Sequence, residues 1–135
     1  MRTGNEDEEY VAKVIVDGDH LDIKLSLMDQ LLSWHGSFHI PLAHVTNAYV
    51  SSWEDLELQY RLDGTYILDF IKAAGVFANP EGLIFADVGG GRDCLVIETR
   101  GERYPRIAVD LPAGENPNAL AHAIIAKIPD SGPVE

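Results

Sequence analysis

Gly82-Leu-Ile-Phe-Ala-Asp-Val88, Gly89-Gly90-Gly91, Cys94-Leu-Val-Ile-Glu98, Arg100-Gly101-Glu102-Arg103, Tyr104-Pro-Arg-Ile-Ala-Val109 and the run from Pro117 to Ile128 decide how this chain folds. Three short apolar runs, rich in branched side chains and separated by Gly-containing connections, read as strands joined by tight hairpin turns. The Gly89 triplet and Thr99-Arg-Gly-Glu102 supply the two turns, because glycine reaches positive φ without a Cβ clash. The last run reads as a helix over 117–128. Asn116 suits the N-cap, Pro117 suits the first helical position, and Leu120, Ile124 and Ile128 with Ala121 and Ile125 make an apolar stripe. That stripe has to cover the strands, so the segment upstream must complete the sheet that the helix closes.

Composition narrows the class. The chain has 135 residues with 46% apolar side chains, enough for one substantial core and in the range of a single domain. Twenty-two acidic against 10 basic side chains give a formal net charge of -12. Such a surface repels phosphate backbones and anionic bilayers, so neither a nucleic acid nor a membrane is an expected partner. Cys94 is the single cysteine, which forbids an intramolecular disulfide, and its place in an apolar run makes it a core residue. The first residues lack an apolar stretch of the signal-peptide type, and a cytoplasmic, reducing location is expected.

Upstream, residues 1–9 carry the acidic run Glu6-Asp-Glu-Glu9 and read as a disordered tail; 10–129 read as one domain and 130–135 as a flexible tail. Tyr10 to Val16 is rich in β-branched residues, Asp17-Gly18 is a hairpin signal, and His20 to Leu25 alternates with Leu21, Ile23 and Leu25 on one face. Ser26-Leu-Met-Asp29 with Leu27, Leu31 and Trp34 predicts a short helical piece near 27–34. Strand spacing returns at Phe38 and Ile40, breaks at Pro41, and continues from Val45 to Val50. Ser52-Trp-Glu-Asp55 predicts a helical turn near 52–56, and Asp63-Gly64 reads as a turn. The stretch 66–77 fits a helix, with Ile67, Phe70, Ile71 and Ala74 on one face, and equally a buried strand; periodicity does not decide between them.

The order of strands, the corner Pro41-Leu42 with Val45 and the terminal helix resemble a pleckstrin-homology-like (PH-like) bacterial domain. Arg100-Gly-Glu-Arg-Tyr-Pro-Arg-Ile-Ala-Val109, Gly64-Thr65 and Gly75-x-Phe77 are similar to an uncharacterised actinobacterial group of such proteins, over about residues 11–128. The resemblance implies an α+β, mainly β fold, a partial barrel of about seven antiparallel strands closed by the C-terminal helix. It also implies binding of peptides, proteins or lipid head groups. The chain offers one strand piece more than this, so either the Phe38 or the Ile71 piece is not a separate strand. Asp17-Gly18-Asp19-His20 makes the first hairpin tip acidic, where lipid-binding relatives are basic, which argues against a phosphoinositide ligand.

Few residues point to chemistry. His35-x3-His39 has the count of a metal pair, but Gly36 and the strand period keep it off a helix; His20, Asp22 and His44 would join only if the fold converged them. Gly89-Gly90-Gly91-Arg92 precedes a strand, whereas a phosphate loop precedes a helix. Arg100, Arg103 and Arg106 stand out as a basic edge on an acidic background, and Trp53 is a candidate anchor for a partner. The expected function is therefore a noncatalytic protein- or peptide-interaction module without a cofactor. It could self-associate as a homo-oligomer through 66–77. The alternative is an enzyme, or a small-ligand or metal binder, with a site among His20, His35, His39 and His44.

Overall fold

A computed structural model describes residues 13–25, 37–56, 60–67, 72–79, 82–88, 93–112 and 114–129. Their order is β1 (Lys13–Asp17), β2 (His20–Lys24), β3 (Phe38–Pro41), a 3-10 turn (Leu42–His44), β4 (Val45–Ser52), α1 (Trp53–Leu56), β5 (Tyr60–Ile67), β6 (Lys72–Asn79), β7 (Gly82–Val88), β8 (Asp93–Thr99), β9 (Arg106–Val109) and α2 (Pro117–Lys127). The architecture is mainly β, of the α+β class, with two sheets and a C-terminal helix. The tails 1–9 and 130–135 and the helical piece expected near 27–34 lie outside the described residues.

The small sheet has the order β1-β2-β3 and is antiparallel throughout. The first hairpin lies where Asp17-Gly18 signalled it, but its two-residue turn is Gly18-Asp19, between the paired Asp17 and His20, with Gly18 at φ 64. Alternation then sends Leu21 and Ile23 into the core and leaves His20, Asp22 and Lys24 on the outer face. Ser37 closes the far end, its hydroxyl oxygen accepting from the Leu25 amide at 2.9 Å. Pro41 ends β3, and the 3-10 turn carries the chain into the second sheet.

The large sheet has the order β4-β8-β9-β7-β6-β5, which corrects two expectations. First, β7 and β8 are not paired across the Gly89 triplet, because β9 lies between them, parallel to β7 and antiparallel to β8. The reason is burial: all four residues of β9 are covered, so this strand needs a neighbour on each side and a layer on each face. Second, both the Phe38 piece and the segment after Ile71 form strands, giving nine strands and one parallel pair among the described residues where about seven antiparallel strands were expected. Ile71 itself, like the Gly89-to-Arg92 connection, lies outside the described residues.

The ambiguous stretch 66–77 is not a helix: its described parts belong to the β5–β6 hairpin. Asp63-Gly64 is not a turn either. It sits within β5, where the register shifts between Arg61 and Asp63 and Gly64 faces Gly75. Glycine inside a strand marks a bulge or close backbone approach as readily as a turn.

Two clusters fill the interior. Leu21, Ile23 and Ile40 of the small sheet meet Phe85, Leu95, Ile97, Ile107 and Val109 of the large one, with Ala121 and Ile124 of α2 joining them. Phe77, Ile84, Ala86, Val88, Cys94, Val96 and Ala108 pack with Leu56 of α1 in a second cluster. Alternate residues of β7, β8 and β9 thus serve different clusters, which explains why apolar residues stand at consecutive positions in 84–86, 94–97 and 107–109. The helical turn expected near 52–56 is present as α1, with the Ser52 hydroxyl accepting from the Asp55 amide at 3.2 Å. Asn116 caps α2 by accepting from the Ala119 amide at 3.2 Å. The helix packs on β4 and β8 through Ala121 and Ile124, while Ile125 is 43% exposed and not part of the buried stripe.

Candidate functional site

The β8–β9 connection, Arg100 to Pro105, is the best-defined surface feature among the sequence-selected residues. Its two ends are tied together: the Thr99 amide donates to the Pro105 carbonyl at 2.9 Å, and the Thr99 hydroxyl donates to the Tyr104 carbonyl at 2.7 Å. The end of the 3-10 turn holds it from the side, since the Arg100 amide donates to the His44 carbonyl at 2.8 Å and His44 Nδ1 lies 2.6 Å from Glu102 Oε2. Gly101 adopts φ 73, a left-handed conformation that glycine takes without strain, and a Cβ there would meet the His44 ring at 3.8 Å. Tyr104 anchors the loop in the core. Its ring is buried against Phe38 and Phe85 at centroid separations of 6.1 and 5.9 Å, which links the loop to both sheets.

On this frame Arg100 and Arg103 are exposed, and the Arg103 guanidinium lies 5.3 Å from the Tyr104 ring centroid. Arg106 departs from the expected exposed edge: it opens β9, faces Glu98 in the ladder and is 6% exposed. Placing β9 inside the sheet removes the edge on which all three arginines would have stood together. Trp53 opens α1, but its side chain lies outside the described part. Val76 and Phe77, the described apolar end of the 66–77 stretch, are buried in the core and offer no surface for self-association.

The histidines divide. His35 lies outside the described residues, His44 belongs to the β8–β9 loop, and His122 is exposed on α2. His20 and His39 do meet, with rings stacked at 4.2 Å between centroids and 21° between planes. His20 Nδ1 lies 2.7 Å from Asp19 Oδ1, and His39 Nδ1 is hydrogen-bonded to Asp22 Oδ1. Among the described residues no group of three or more His, Cys, Asp or Glu side chains is placed to hold a metal ion.

Cys94 is fully buried, and its thiol is pushed up from 9.0 to about 12. Burial away from water is the main cause and the negative charge of Asp110 adds to it, while a backbone hydrogen bond with Ser51 works the other way. A thiol held protonated in this way is no nucleophile at neutral pH. Two buried carboxylates escaped the sequence reading. Asp87 and Asp110 are 1% and 2% exposed, both are engaged in interactions, and the Asp110 amide donates to the Asp87 carbonyl at 3.1 Å. Their signal was an acid inside an apolar run, Ala86-Asp87-Val88 and Val109-Asp110-Leu111.

Among the described residues no helix is long and apolar enough to cross a membrane. Compared with protein-family models, curated proteins and solved structures, the chain matches none.

Proposed function

We propose that the protein is a noncatalytic interaction module that binds an acidic segment of a protein or peptide through Arg100 and Arg103. The observation that carries this reading is the anchored loop, in which two exposed guanidiniums stand on a frame held by Thr99, His44, Glu102 and Tyr104. A preorganised frame reduces the ordering entropy lost on binding, and arginine recognises carboxylates through paired N–H donors. The acidic remainder of the domain then acts against misplaced partners. With a net charge of -12, an acidic peptide is repelled wherever it does not align with the two arginines. The small sheet, the terminal helix on β4 and β8 and the corner at Pro41 support a PH-like assignment, from which the inserted β9 and its parallel pairing with β7 depart.

Fluorescence anisotropy with a panel of labelled Glu- and Asp-rich peptides tests the reading. Wild type is expected to bind at least one peptide, more weakly as salt rises, and the Arg100→Glu, Arg103→Glu double variant to lose about tenfold or more in affinity. Equal binding by wild type and double variant, or no binding by either, would refute it.

A further inference from the structure

The outer strands of the two sheets differ in how well they are protected from pairing. In the large sheet, β4 carries a register shift between Val45 and Asn47 and packs against α2, and β5 carries a shift between Arg61 and Asp63. In the small sheet, β3 is four residues long and ends in Pro41. Bulges, short edges and prolines of this kind keep a sheet edge from templating another chain. β1, Lys13-Val-Ile-Val-Asp17, has none of them: it runs in unbroken register with β2, and among the described residues no strand pairs with its other side.

The turn fixes what that edge offers. The hairpin closes on Asp17 opposite His20, and hydrogen-bonded and non-bonded pairs alternate along an antiparallel ladder, so Lys13, Ile15 and Asp17 direct their backbone N–H and C=O groups to β2. Those of Val14 and Val16 face the open edge. Side chains alternate in the same way. Val14 and Val16 turn to the core, whereas Lys13, Ile15 and Asp17 are exposed on the outer face, with the apolar Ile15 at its centre, 36% exposed.

We propose that β1 is the docking edge for a second copy of this chain, whose own β1 pairs with it antiparallel about a two-fold axis between the two Ile15 residues. The strand is complementary to itself in that register. Val14 faces the partner's Val16, the positions whose backbone groups point outward, and about four hydrogen bonds form across the axis. Lys13 faces the partner's Asp17 at both ends, and the two Ile15 side chains cover each other. A parallel arrangement would instead set Lys13 against the partner's Lys13 and Asp17 against the partner's Asp17, which like-charge repulsion disfavours. The two small sheets become one through a contact that closes on itself. An edge of five residues spans only about 17 Å, which places the dimer among weak, reversible associations. The net charge of -12 on each copy opposes approach, and exposed Lys–Asp pairs are individually worth little, so added salt strengthens the dimer. Binding of an acidic peptide at Arg100 and Arg103 responds to salt with the opposite sign, which separates the two interactions.

Sedimentation velocity of the full chain between about 0.02 and about 1 mM, in about 0.3 M NaCl and paired with amide hydrogen exchange, tests this. Wild type is expected to pass from monomer to dimer over that range, with exchange at Val14 and Val16 slowed about threefold or more at the higher concentration. Ile15→Lys sets like charges at the axis and should weaken dimerisation at least tenfold while the circular dichroism spectrum stays unchanged. Lys13→Asp should weaken it about fivefold or more, and the double variant Lys13→Asp, Asp17→Lys should return to within about threefold of wild type, a recovery that a merely structural effect would not produce. A monomer at every concentration, dimerisation unaltered by Ile15→Lys, or no recovery in the double variant would overturn the proposal. So would equal protection of the Val14 and Val16 amides at both concentrations, the result expected if the chain covers this edge itself.

Discussion

Ile124 and Ile125 are adjacent on α2 yet differ in environment, one fully buried between helix and sheet and the other 43% exposed. Ile124→Ala should destabilise the fold by about 2–4 kcal/mol through lost burial and the cavity left behind, and Ile125→Ala by less than about 1 kcal/mol, as measured by urea denaturation. Cys94 yields a pH prediction with a definite sign. Its folded-state value, about 12, lies above the ordinary 9.0, so the folded chain keeps a proton that the unfolded chain releases. Its contribution to stability is complete below pH 9.0 and is lost as pH rises toward about 12. Urea midpoints for wild type and Cys94→Ala should therefore differ by a constant amount up to that point and converge above it. At this scale Cys94 was legible, because a lone cysteine in an apolar run has one common environment. Arg106 was not, because its burial depends on which strands flank β9, and no local pattern encodes that.

At the scale of elements, the β1–β2 hairpin, α1 and α2 followed from local chemistry: Gly18 for the turn, Ser52 for the first turn of α1 and Asn116 with Pro117 for the start of α2. The neighbour order of the large sheet did not. Hairpin reasoning pairs consecutive strands, whereas the full burial of Arg106–Val109 is satisfied only between β7 and β8. That placement makes β9 a central strand, so its amides should exchange among the slowest in the protein, and Ile107→Ala should cost about 2–5 kcal/mol. The β8–β9 loop offers a second check. Thr99→Val removes the hydroxyl that donates to the Tyr104 carbonyl and should cost about 1–3 kcal/mol. Glu102→Gln should leave global stability within about 1 kcal/mol yet speed hydrogen exchange at Arg100 and Gly101, because the His44 contact holds the loop from outside the strand ladder.

For the whole molecule, the patterning predicted a mainly β fold of the α+β class with a C-terminal helix, and that coarse architecture is the one observed. The candidate site was legible only as an arginine-rich run, since the roles of His44, Thr99 and Tyr104 in framing it arise from contacts between distant segments. Likewise the meeting of His20 with His39 depends on the β2–β3 register across an eleven-residue excursion, Ser26 to Gly36, whose length says nothing of the pairing. The charge excess itself is testable. Raising NaCl from about 0.05 to about 0.5 M should raise Tm by roughly 2–5 °C, as screening relieves repulsion among 22 acidic side chains. The most direct test of the account is amide chemical-shift mapping of the ¹⁵N-labelled protein with a Glu-rich peptide. The account predicts shifts centred on Arg100 to Tyr104 and His44 that vanish in the Arg100→Glu, Arg103→Glu variant; no shifts, or shifts centred on α2 or the outer face of the small sheet, would contradict it.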